Sequence, residues 1–238
     1  MSYWSLTRRP KYSLLFALPL LVAYELLALA LSGGALMGVR NGADVLLKSL
    51  FLAFGGRTGL VVFGVVLLST GAWSVWRDRQ SGGPLRWRVF GLMASESVIY
   101  ASVLGLVTST LTSLLLGRGG MPFAASQFGE LSLASQAMIS LGAGLYEELL
   151  FRVLLVGSLA WFARRMLQSP LMAGLIATLV GALVFSGFHY IGPYGDRLEV
   201  GSFAFRAVAG VLFSALYLLR GFGIAAWTHA LYDLMLVG

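Results

Sequence analysis

Two adjacent glutamates, Glu147 and Glu148, lie in a run apolar enough for lipid: Gly144-Leu-Tyr-Glu-Glu-Leu-Leu-Phe-Arg-Val-Leu. A charged side chain at the bilayer centre costs roughly 2.5–3.5 kcal/mol even on the most lenient insertion scale. Acids held at that cost serve chemistry, transport or a buried structural network. The setting is not in doubt, because 58% of the 238 residues are hydrophobic and only 11% are charged. Soluble domains carry about 25% charged residues. The net charge of +7 belongs to basic residues clustered between apolar runs, which suits lipid headgroups and not nucleic acid. With no cysteine in the chain, disulfides, thiol nucleophiles and thiolate metal sites are all excluded.

A helix needs about 20 apolar residues to cross the hydrocarbon. Runs that meet this need lie at 12–31, 58–76, 89–116, 134–163, 171–190, 203–219 and 222–237. The expected fold is therefore an all-α, polytopic transmembrane bundle of about seven spans. The short amphipathic run 43–54 lies in the interface or extends a neighbour, and makes an eighth span if it crosses. The first run follows Arg8, Arg9 and Lys11 as a signal peptide would, but its length reads as a retained span. Residues 117–133 read as a loop or re-entrant piece, and 78–88 as a basic, turn-rich loop. Nothing resembles a linker or a repeat, so 1–238 is expected to be one membrane domain, with N-terminal spans in 1–130.

Loop charge supplies an orientation. With the N-terminus inside and seven spans, ten basic residues fall inside (Arg8, Arg9, Lys11, Arg77, Arg79, Arg86, Arg88, Arg164, Arg165 and Arg220) and six outside (Arg40, Lys48, Arg57, Arg118, Arg197 and Arg206). This excess predicts a cytoplasmic N-terminus; the membrane itself is expected to be a bacterial inner membrane.

Five acids fall at membrane depth: Glu25, Glu96, Glu147, Glu148 and Asp233. Glu25 and Glu96 have no partner in the adjacent sequence and read as structural or interfacial acids. Glu148 and Arg152 are spaced i,i+4 with the acid first, the better order for a helical pair. Glu147 is turned away from its neighbour by helix geometry and is not claimed by Arg152. Its remaining candidate partners are the only two histidines, His189 and His229. His189 follows Phe185 by four residues, and His229 precedes Asp233 by four. Trp161, Trp227 and Tyr194, near span ends, read as interface anchors.

A lone histidine in an apolar helix is more often a core residue than a catalyst. Here both face the same side of the membrane as Glu147, which favours a shared site. A buried glutamate with a histidine can activate water, and a second histidine can donate to a developing oxyanion. The same three groups would also make a two-histidine, one-carboxylate zinc set. Proton relays use intramembrane acids as well, but no inverted repeat is visible. No Gly-x-Ser-x-Gly elbow and no His-Glu-x-x-His motif is present.

Taken together, Glu147-Glu148-x-x-x-Arg152, Phe185-x-x-x-His189 and His229-x-x-x-Asp233 resemble the three ordered motifs of the CPBP family. This family, also called Abi or CAAX protease-like, comprises intramembrane glutamate endopeptidases and includes the CAAX prenyl endopeptidase. The resemblance covers about residues 134–237, the expected catalytic core. It implies that Glu147 and His189 activate water, that His229 and the residue at 233 stabilise the oxyanion, and that Glu148, Arg152 and Phe185 support the site. It implies no metal and no cofactor, and a protein or peptide substrate, with a membrane-anchored segment as one form. The prenyl endopeptidase branch carries Asn where this chain has Asp233, so Asp233 is expected to orient His229 in preference to contacting the oxyanion. A scaffold that has kept the fold without activity is the alternative.

Overall fold

The structure is a computed structural model that describes residues 2–31, 40–81, 83–117, 131–192 and 195–237. The described residues are helical, with no strand among them. A short helix α1 (Tyr3–Thr7) leads into α2 (Pro10–Leu31), α3 (Gly42–Ser81) and α4 (Trp87–Leu116). The next helical run starts as α5 (Leu133–Gly142), widens into a π-helical segment (Ala143–Val156) and resumes as α6 (Gly157–Met166). Helices α7 (Pro170–Phe188), α8 (Val200–Arg220) and α9 (Phe222–Val237) complete the bundle.

Five helices among the described residues are long and apolar enough to cross a membrane: 10–31, 42–80, 87–116, 170–188 and 200–220. The chain is an integral membrane protein of several helical spans. The run 133–166 is helical throughout but changes type in its middle, and α9 has 16 residues, short for a full crossing. The expected loop at 117–133 falls largely on residues 118–130, outside the described residues, as does Tyr194.

The short run 43–54 is the first part of α3, which breaks at Gly56 with φ 57° and ψ −146°. The break is sharp. Phe51 and Phe63 would be about 18 Å apart along a straight helix, yet their rings stack at 4.5 Å between centroids. Beyond it Val61, Val65 and Leu68 stay well exposed on a peripheral helix, as lipid-facing residues do. At its far end Asp78 pairs with Arg9, and its carboxylate also accepts from the Lys11 backbone N–H.

Helix α9 is the axis of the bundle and packs against α2, α4, α5, α8 and the π-helical segment. Ile224, Ala225, Ala226 and Ala230 on it are fully buried. Without a hydrophobic drive between helices in lipid, such small residues promote association by allowing close approach. Gly144 is the clearest case. A Cβ there would strike the Ala226 carbonyl and lie 2.8 Å from the Ala230 Cβ, so the π-helical segment reaches α9 only as glycine. On the opposite side, the Ser13 hydroxyl accepts from the Gly223 N–H at 2.7 Å and the Trp227 indole donates to the Phe16 carbonyl at 2.6 Å. Trp227, half-buried, is thus bonded to α2. Trp161 is exposed, with the Arg165 guanidinium 3.8 Å over its ring.

The acids without a visible partner in the sequence find distant ones. Glu96 accepts from Arg220 through both oxygens at 2.5 and 2.6 Å and from the Tyr3 hydroxyl at 2.6 Å. Partial burial and the adjacent Glu96 carboxylate hold the Tyr3 phenol above its ordinary range. Glu25 accepts from Arg40, Lys48 and Tyr146. Each contact joins elements far apart in the chain, so the polar groups fix which helices meet.

Gly144→Ala should lower stability by about 1–3 kcal/mol, the usual range for overpacking a closed core. A matched Gly174→Ala, where a Cβ meets nothing within 4 Å, should be neutral or mildly stabilising. Thermal unfolding of both variants in detergent checks the pair.

Candidate active site

The three sequence motifs meet where the π-helical segment, the end of α7 and the middle of α9 converge. Glu147 and Glu148 are buried, and Glu148 is wholly inaccessible. π-Helical turns are rare and concentrate at functional sites. This one closes with the Gly157 N–H on the Arg152 carbonyl, five residues back. It presents the two adjacent carboxylates to the two sides of a single imidazole.

That imidazole is His229, 4% exposed. Its Nδ1 lies 2.7 Å from Glu148 Oε1. An ionised carboxylate only accepts, so Nδ1 carries the proton there. The other nitrogen, Nε2, is 4.0 Å from Glu147 Oε2 and 3.7 Å from Asp233 Oδ2. The ring stacks on Phe213 with centroids 4.4 Å apart and planes 21° from parallel. The acceptor behind His229 is therefore Glu148. Asp233, expected in that role, lies instead on the Nε2 side, beyond hydrogen-bond distance.

Arg152 sits 3.4 Å from Glu148 Oε1 through Nε. It is 1% exposed, and its guanidinium lies 4.3 Å from the Phe185 ring centroid and 5.7 Å from that of Phe213. The cation is thus held by one carboxylate and two aromatic faces, an arrangement suited to arginine's planar, weakly hydrated group.

His189 caps the end of α7. Its Nδ1 is 2.9 Å from the Phe185 carbonyl oxygen, which can only accept, so Nδ1 donates and Nε2 keeps its lone pair. The Phe185 side chain packs edge-on against His189, with centroids 5.0 Å apart, and against Phe151 at 5.2 Å. His189 and Glu147 lie within electrostatic reach of each other. All seven residues singled out in the sequence therefore fall in one region.

Two members of the site were not anticipated. Asn41, 3% exposed at the start of α3, donates from Nδ2 to Glu147 Oε1 at 2.8 Å. Phe213 on α8 supplies the platform under His229. No local signal marks Phe213, one aromatic residue among many. Asn41 does carry one, as the polar residue opening the amphipathic run, in Arg-Asn-Gly-Ala-Asp. Among the described residues no group of three His, Asp or Glu side chains is arranged to hold a metal ion.

Removing the guanidinium tests the buried pair. Arg152→Met should cost about 3–5 kcal/mol, since it strands Glu148 without its cation. Glu148→Gln in the same chain should recover part of that loss, as read by thermal unfolding in detergent.

No curated protein and no solved structure matches the chain. Residues 129–235 match the family model described as type II CAAX prenyl endopeptidase Rce1-like. That stretch contains every site residue named above except Asn41, and over it the chain is similar to the Rce1-like family.

Proposed function

We propose that the protein is an intramembrane endopeptidase that hydrolyses a peptide bond with water activated by Glu147 and His189, without a metal. The observation that carries this reading is the placement of two adjacent carboxylates on opposite nitrogens of His229. Glu148 ties Nδ1 at 2.7 Å, while Glu147 stays 4.0 Å from Nε2. One acid thus orients the histidine, and the other stands on the Nε2 side, where a water and a carbonyl would be taken.

In the proposed reaction, Glu147 takes a proton from water and the hydroxide adds to the scissile carbonyl carbon. His189, whose Nδ1 is committed to Phe185, accepts from the same water through Nε2 and holds its lone pair toward the carbonyl. The carbonyl oxygen becomes an oxyanion and receives a hydrogen bond from Nε2–H of protonated His229. Asp233, 3.7 Å from Nε2, stands beside that proton until the oxyanion replaces it. On collapse the C–N bond breaks, and the leaving amine takes the proton held by Glu147. Arg152, 3.4 Å from Glu148 Oε1, braces that carboxylate, and so keeps His229 in the orientation the oxyanion needs.

The substrate we infer is a protein or peptide with a membrane-inserted segment, since the site is built between spanning helices. The ten-to-six basic excess favours an N-terminus inside, and with it a site nearer the non-cytoplasmic face. An exported or membrane-inserted bacterial protein fits that placement.

Two experiments test the reading. Mass spectrometry of protein termini, comparing membranes with wild type or Glu147→Gln, should show new termini only with wild type. The variant should lose at least about 10²-fold in turnover, the usual contribution of a general base, with its unfolding temperature unchanged. Turnover retained by Glu147→Gln would end the assignment. Treatment with 1,10-phenanthroline should leave cleavage intact, whereas loss restored by added zinc would replace the water-only mechanism with the zinc one.

A further inference from the structure

Glu147 is held from outside the Rce1-like region. Asn41 lies 106 residues earlier, yet its amide donates to Glu147 Oε1 at 2.8 Å in a buried contact. The orientation of that amide is fixed by a second bond. The Ala43 backbone N–H donates to Asn41 Oδ1 at 2.9 Å. An N–H cannot accept, so the oxygen must face Ala43 and the amino group must face Glu147. The same oxygen caps the start of α3, the usual role of Asn before a helix.

Asn41 is itself braced. Its backbone N–H donates to the Tyr24 hydroxyl at 3.3 Å, and that hydroxyl donates to Asp44 Oδ2 at 2.7 Å. Asp44 is fully buried and takes Arg40 and Lys48, which also reach Glu25. Glu25 in turn accepts from Tyr146, the residue next to Glu147. A Cβ on Gly142 would lie 2.7 Å from that of Asn41, so the two backbones meet closely. The network runs from α2 through α3 and returns to the π-helical segment beside the acid.

We infer that Asn41 is a positioning residue for Glu147. Its amide fixes one carboxylate oxygen and favours the ionised form, leaving Oε2 free for water. This rests on the reading of Glu147 as the base, but the contact can be tested without any substrate. The other groups facing Glu147 are His189 from α7, His229 and Asp233 from α9, and Arg152 and Glu148 from its own segment. They stay the same when only residue 41 is exchanged, so a difference isolates that position.

The probe is dicyclohexylcarbodiimide, which reacts with protonated carboxyls in apolar surroundings. The readout is modification of Glu147 by peptide mass spectrometry across pH, on purified protein in detergent, with Glu96 as internal reference. Asn41→Ser and Asn41→Asp both keep a capping oxygen for α3. Neither offers the amide donor, and Asn41→Asp adds a like charge. Hydrogen bonds to charged groups are strong enough that modification of Glu147 at neutral pH should rise roughly tenfold in Asn41→Ser, and further in Asn41→Asp. Glu96 modification and the unfolding temperature should stay as in wild type. Equal modification of Glu147 in wild type and both variants would overturn the inference. So would failure of Asn41→Ser to fold, which would assign Asn41 to structure alone. If wild type cleaves nothing while the labelling changes as expected, the peptidase reading fails and the positioning of Glu147 stands. If wild type is a peptidase, Asn41→Ser should lower kcat more than it raises KM.

Discussion

The hydrogen bond between Glu148 and His229 ties the structure together, because it answers the hardest demand on this chain. A carboxylate removed from water must be met by a donor, and in lipid that donor must come from protein. Glu148 meets it with a histidine from the central helix and an arginine from its own segment. The distance of 2.7 Å requires α9 to lie against the π-helical segment, and Gly144 is the residue that lets it. Phe185 and Phe213 then close around the arginine, bringing α7 and α8 into place. The candidate site is thus also a packing centre, and its charges select the neighbours of each helix.

A division of labour follows between the two adjacent acids. Glu148 is shut from solvent, and its Oε1 takes both His229 Nδ1 and the Arg152 ion pair, while its buried Oε2 has no hydrogen-bond partner among the described residues. Glu147 has one firm bond, to Asn41, and a second oxygen that no hydrogen bond claims among the described residues. On a regular helix, neighbouring side chains diverge by about 100°. The wider π-helical turn and the small size of imidazole let both address opposite edges of one ring.

Much of this was legible in the sequence because the informative signals were local. Apolar run length set the all-helical, membrane-spanning character. The spacing of four between Glu148 and Arg152 placed them on one face, and they lie 3.4 Å apart. The same spacing of His229 and Asp233 was a weaker guide, because proximity along a helix does not say which ring nitrogen an acid will face. Partners across the chain left no trace in composition or period. Glu96 and Arg220 are 124 residues apart and Asn41 and Glu147 are 106 apart, and no pattern in one sequence links them. The bond from the Trp227 indole to the Phe16 carbonyl, 211 residues earlier, was equally invisible. The bend at Gly56 was hidden for a similar reason: glycine permits a break anywhere, and only the stacking of Phe51 on Phe63 shows that it is used.

Helix α2 is lodged against α9, with Ser13 bonded to Gly223 and Phe16 to Trp227, and Asn41 lies at the start of α3, the next helix. In terms of inheritance, this makes the two halves of the gene unequal in visibility but bound in fate. The C-terminal half bears the signature by which relatives are found, and the N-terminal half shapes the surfaces on which that signature rests. A recombination joint near residue 129 would pair the matched region with a foreign α2, and the mismatch would fall at positions 13, 16 and 41. Substitutions there should be tolerated in step with 223, 227 and 147, so the unmatched half of the sequence records the history of the matched one.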